Sequence, residues 1–113
     1  MPEVRIQYDS KSVKRNTIAH ISQIIGTIVA VNLSCDEFPL LSEDISLTFH
    51  QYGPDDRHKN QIEIFIDAFE TPERLEKINA ITNKIRDMIL ANTLSHTTFF
   101  VWIRLTKGGF AKS

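Results

Sequence analysis

A chain of 113 residues is the size of one ordinary domain, and its 42% hydrophobic and 24% charged residues exclude a disordered or fibrous molecule. Thirteen Lys and Arg against fourteen Asp and Glu give a formal charge of -1, which removes the bulk electrostatic case for a nucleic acid or an anionic membrane as partner. The single cysteine, Cys35, excludes an intrachain disulfide and fits a reducing compartment. Contiguous apolar stretches are short and the N-terminus lacks a signal-peptide pattern, so the expected location is cytoplasmic.

Val4, Ile6 and Tyr8 alternate with Arg5 and Gln7, the period-two pattern of a strand with one buried face. From Ser12 to about Leu33 apolar residues recur at Ile18, Ile21, Ile24, Ile25, Ile28 and Val31, which predicts a helix with Asp9, Ser10 or Ser12 as candidate caps. Its β-branched residues and Gly26 are mildly unfavourable in helices, so packing must supply much of its stability. Ile45, Leu47 and Phe49 then alternate with Ser46, Thr48 and His50, giving a second strand that stops near Gly53-Pro54. A polar loop over 55–60 follows.

The third strand is predicted over Gln61 to Phe69, with Ile62, Ile64, Ile66 and Ala68 on one face. Thr71-Pro72-Glu73 is a helix start: a side-chain cap, a ring with φ preset, and a negative charge near the positive end of the dipole. Leu75, Ile78, Ile81, Ile85, Met88 and Ile89 make the apolar stripe of one helix running to about Ala91, with Glu70, Glu73, Arg74 and Lys77 on its wet side. In the last strand, Thr98 to Leu105, Phe99, Val101, Ile103 and Leu105 share one face and Phe100 and Trp102 the other. Apolar groups on both faces call for cover on both sides.

Residues 1–113 therefore read as one domain with halves 1–54 and 61–106 and a C-terminal tail, 107–113. The fold class is α/β (α+β): two consecutive β-α-β units forming a four-stranded mixed sheet with two helices on one face. The connections within each half are long enough for a parallel pair with a right-handed crossover. Self-association would cover the face that the helices leave bare.

Met1-Pro2 running straight into a strand, the two β-α-β halves, and the closing Lys107-Gly108-Gly109-Phe110 together resemble the tautomerase superfamily, which includes 4-oxalocrotonate tautomerase and macrophage migration inhibitory factor. The resemblance implies a homotrimer whose sheets surround a central channel, with the active site at the N-terminal proline near subunit boundaries. It implies no cofactor and a small carbonyl acid as substrate. Pro2 would be the catalytic base once Met1 is removed, because the freed ring nitrogen is then a secondary amine; with Met1 retained it is an amide without a basic lone pair. An ordinary α-amino group titrates at roughly 7.7 to 8 and a proline amine higher, so the site must lower it through apolar surroundings and nearby cations.

Lys11, close to Lys14 and Arg15, is the nearest match to the arginine that holds a substrate carboxylate in the superfamily, and Phe110 resembles the aromatic lining its pocket. The second-strand arginine of the short tautomerases has no equivalent in residues 45–49. Arg104, in an otherwise apolar strand, either pairs with an acid across a subunit interface or points into a site. His50 and Tyr52 end the second strand, where they can reach a neighbouring subunit's pocket or serve the fold alone. The histidines at 20, 50, 58 and 96 lack ligand-like spacing and Cys35 has no partner, so no metal site is expected. Two other readings stand beside the enzyme: a non-catalytic binding or assembly domain of the same fold, and an unrelated ferredoxin-like regulatory module with antiparallel strand order.

Overall fold

The computed structural model describes residues 2–36, 38–93 and 97–108. Seven regular elements follow in the order β1 (Glu3–Tyr8), α1 (Arg15–Leu33), β2 (Ser46–Gln51), β3 (Ile62–Phe69), α2 (Pro72–Glu76), α3 (Ile78–Ala91) and β4 (Phe99–Thr106), with a short 3-10 turn at Ser42–Asp44. The sheet order is β2-β1-β3-β4. Strand β1 runs parallel to β2, with Glu3 opposite Ser46. It runs antiparallel to β3, with Glu3 opposite Asp67, and β4 runs parallel to β3, with Asp67 opposite Arg104. Parallel pairing inside each half, joined by one antiparallel contact between the halves, is the mixed sheet expected from two β-α-β units. It sets aside the ferredoxin-like alternative.

The core forms where the inner face of the sheet meets the helices. Val4, Ile6, Ile62, Ile64, Ile66, Ala68 and Ile103 pack from the strands against Ile21, Ile25, Ile28, Val29 and Leu33 of α1 and Ile85 and Ile89 of α3. Isoleucine predominates, and burial of each such side chain contributes about 1.5–3 kcal/mol. This packing supports the β-branched helix that intrinsic propensity alone would leave marginal. By length and composition α1 is also able to cross a membrane, a property that contiguous apolar runs did not reveal; here its stripe of Ile21, Ile25, Ile28, Val29 and Leu33 lies in the core.

Two boundaries differ from expectation, each for a local reason. Helix α1 begins at Arg15, not Ser12, and its N-cap Lys14 makes no side-chain cap bond. The candidate caps are used elsewhere: the Asp9 carboxylate accepts the Lys11 N–H at 3.1 Å and the Ser12 hydroxyl at 3.0 Å, and the Asp9 carbonyl accepts the Val13 N–H at 2.9 Å. Those bonds close a turn ahead of the helix. In the second half Thr71 caps the helix start as its sequence demands, accepting the Arg74 N–H at 3.1 Å. The helix then breaks at Lys77, so three helices replace two. The break changes the rotational phase of the first turn: Arg74 turns inward, 4% exposed, and Leu75 turns outward, 53% exposed, the reverse of the expected stripe.

The outer face of the sheet carries no helix. Phe100 and Trp102 are exposed there. The Arg5 guanidinium lies 5.0 Å from the centre of the Phe65 ring, and Phe65 packs on Phe100 with ring centres 6.1 Å apart.

Candidate functional site

Pro2 immediately precedes β1 at the centre of the sheet. Its side chain is fully buried, and its carbonyl accepts the Ser46 N–H at 3.1 Å as the parallel ladder with β2 begins. Alternation along β1 places it on the face of Val4 and Ile6, in apolar surroundings. Continuing the antiparallel register from Glu3 opposite Asp67 sets Pro2 across from Ala68, also buried.

Arg104 is at this same end of the sheet. Its acid partner lies within its own chain: Nε donates to the Asp67 carboxylate at 2.7 Å across β3 and β4, on the outer face, with the Arg104 side chain 66% exposed. With Arg5, Phe65, Phe100 and Trp102 it borders a shallow depression of about 260 Å³.

Lys11, His50 and Tyr52 lie at the opposite end. Tyr52 donates its N–H to the Tyr8 carbonyl at 2.9 Å, and His50 stands opposite Gln7. The length of β1 separates this group from Pro2 by about 20 Å at ~3.3 Å per residue. Within one chain these residues do not meet Pro2, so a site combining them needs a second copy.

Lys11 and Tyr52 do share one depression, of about 340 Å³, with Asp9, Asp56 and His58. The Tyr52 hydroxyl donates to Glu63, and its ring stacks on His58. His58 in turn places Nδ1 2.8 Å from the Asn60 carbonyl and Nε2 4.0 Å from the Asp9 carboxylate. Burial, then the bond to Glu63 and its charge, push the Tyr52 phenol well above the ordinary tyrosine range. Backbone donation from Lys11 and the Ser12 hydroxyl hold Asp9 below the usual carboxylate range. Tyr52 is therefore a neutral hydrogen-bond donor at physiological pH and not a base. His50 is exposed on the outer face with Ser46 and Thr48, while Phe110 and His96 lie outside the described residues.

Arg74 is the charged group that periodicity misplaced. Among the described residues it is the one buried ionisable side chain. Nε donates to the Leu33 carbonyl at the end of α1, at 3.0 Å, and an Nη donates to the Phe69 carbonyl at the end of β3, at 2.7 Å. Burial lowers its pKa, with the facing Cys35 and Glu73 acting in the opposite direction; a guanidinium stays charged regardless. The signal that would have found it is the helix break, which no capping or glycine residue announces.

A larger cleft of about 930 Å³ opens between the start of α1 and the end of α3, bordered by Lys14, Thr17, His20, Gln61, Asn92 and Thr93. His20 Nε2 lies 2.5 Å from the Asn92 carbonyl across it. It too sits at the end of the sheet away from Pro2. Among the described residues no group of three His, Cys, Asp or Glu side chains is arranged to hold a metal ion.

No family model and no curated protein matches the chain. Solved structures do match. A malonate semialdehyde decarboxylase aligns with 96% of this chain and 90% of its own, at 9% identity and a TM-score of 0.66. The macrophage migration inhibitory factor-like protein of Entamoeba histolytica aligns over 99% and 96%, at 9% identity and a TM-score of 0.62. A fused 4-OT symmetric trimer aligns over 93% and 85%, at 8% identity and a TM-score of 0.63. The chain shares the fold of these structures, the tautomerase-like arrangement expected from the sequence, and at these identities the likeness defines the fold alone.

Proposed function

We propose that this chain is a cofactor-independent tautomerase or isomerase acting on a small carbonyl acid, with the Pro2 amine, freed by removal of Met1, as the proton-transfer base. The observation that carries this reading is the buried position of Pro2 at the head of the central strand. Apolar burial disfavours a charged amine and so favours the neutral base at pH 7.

The neutral nitrogen takes a proton from the carbon α to the substrate carbonyl: the C–H bond breaks, an N–H bond forms, and the electron pair moves onto oxygen as an enolate. Cations stabilise that charge. Return of the proton from Pro2 to oxygen or to another carbon completes the interconversion and regenerates the amine. Arg104 belongs to the Pro2 end of the same chain. Lys11, His50, Tyr52 and Phe110 would come from a neighbouring copy in a homotrimer, and the symmetric 4-OT trimer of the same fold supports that assembly. The exposed aromatic outer face of the sheet is the surface that such an assembly would cover. A cytoplasmic setting belongs to the same proposal.

The other reading is a non-catalytic binding or assembly domain. The Lys11 depression favours it, because Asp9 and Asp56 stand beside the lysine there and work against a substrate carboxylate. Intact-mass measurement of natively expressed protein tests the enzyme reading: loss of Met1 is expected, and a retained Met1 leaves Pro2 an amide and ends it.

A further inference from the structure

We infer that Arg74 is a positioning residue for the proposed chemistry: its buried guanidinium, in no ion pair among the described residues, supplies the fixed positive charge that keeps the Pro2 amine neutral, while its two backbone bonds hold that charge at the head of β1. The inference rests on Pro2 being the base.

Three observations support it. First, Arg74 is 4% exposed and makes no ion pair, whereas Arg86, Arg104, Lys77 and Lys107 each pair with a carboxylate. Its donors go to carbonyls, one of them at the C-terminal end of α1, where the helix dipole favours a cation without cancelling its charge. Second, Phe69, whose carbonyl Arg74 holds, directly follows Ala68, and the β1–β3 register sets Ala68 across from Pro2. Leu33 ends the helix that returns along the sheet to this same end before β2 begins beside Pro2. Third, the surroundings are apolar, so the field of the guanidinium is screened far less than at the surface.

Among the described residues the other charges around this end are paired or exposed. On β3 and β4, Asp67 is paired with Arg104 and Glu70 with Lys107. On α2, Glu73 acts on Arg74 but is half exposed and paired with Lys77, so water screens it, and ahead of β2 Asp44 accepts the Leu41 N–H. Glu3, Asp36 and Glu43 are exposed to water. Cys35 faces the guanidinium as a half-buried side chain.

The test uses full-length protein beginning at Pro2, confirmed by mass and labelled with 15N-proline, with the Pro2 amine titrated by NMR. In the unsubstituted chain the midpoint is expected below the roughly 7.7 to 8 of an ordinary α-amino group. Arg74→Met should raise it by about one unit, a roughly tenfold loss of neutral amine at pH 7. A purely structural Arg74 would lower stability in this variant and leave the amine unmoved. Where Arg74→Met fails to fold, Cys35→Asp keeps the arginine and neutralises it in place, and should raise the amine midpoint where Cys35→Asn does not. An amine that titrates alike in all of these proteins overturns the inference. An amine that follows Arg74 in a protein without turnover upholds the inference and overturns the proposed activity instead.

Discussion

Tyr52 and His58 stack face to face, ring centres 4.1 Å apart and planes within 4°, which closes the loop after β2 on itself and leaves His58 Nε2 4.0 Å from the Asp9 carboxylate in the turn that follows β1. Because the folded state holds the Tyr52 phenol above its ordinary value, the neutral form is favoured by folding. The associated stability is fully present below the unfolded value near 10 and is lost as pH rises through the folded one. Tyrosinate absorbance should show a late phase from Tyr52. Tyr52→Phe should remove the late phase and flatten the alkaline loss of stability; a late phase that survives the substitution, or none in the unsubstituted chain, would contradict the arrangement.

The break at Lys77 reverses which residues of α2 matter to the core. Leu75→Ser, at an exposed position, should change unfolding stability by no more than about 0.5 kcal/mol. Ile85→Ala, at a fully buried one, should cost about 2–5 kcal/mol. Denaturant unfolding of the two variants measures both. A large loss at Leu75 would restore the continuous stripe that spacing alone suggests.

Gly26 admits the 3-10 turn against α1, since a Cβ there would stand 2.7 Å from the Ser42 hydroxyl oxygen. The Ser42 hydroxyl is exposed and must rotate to admit the methyl, so Gly26→Ala should stabilise the chain by less than the roughly 0.5–1 kcal/mol that helix propensity gives. In a Ser42→Ala background the same change should stabilise by about 0.5–1 kcal/mol, as helix propensity dictates once the contact is gone. Additive effects in this double-mutant cycle would deny the contact.

Trp102 and Phe100 are exposed on the outer face of the sheet, which the proposed trimer covers. Trp102→Glu should shift the sedimenting species from trimer towards monomer while the far-ultraviolet dichroism is retained. A monomer before substitution, or a trimer indifferent to it, would contradict this use of the face.

Much of the architecture is legible in the sequence because its signals are local and redundant. The Val4–Ile6 alternation, the Ile21–Ile25–Ile28 spacing and the Thr71-Pro72-Glu73 cap each specify an element that the structure contains. The reversal of Arg74 and Leu75 is not legible, since a periodic stripe assumes one continuous helix and the Leu33 carbonyl that Arg74 reaches is distant in sequence. The same applies to the ionic partner of Arg104: Asp67 is far from it in sequence, and the β3–β4 register brings them together. The site is less legible than the fold. Lys11 and Tyr52 line one depression, yet β1 separates both from Pro2, a distance that only the parallel register with β2 reveals.

Proton transfer by the Pro2 amine is the step on which the proposed activity stands. The most direct measurement is ketonisation of phenylenolpyruvate, followed by ultraviolet absorbance, with mass-verified protein beginning at Pro2 and with its Pro2→Ala variant. Turnover should fall by about a hundredfold or more in the variant; turnover equal in the two proteins, or none from a correctly processed trimer with this or with 2-hydroxymuconate, would contradict proton transfer by Pro2.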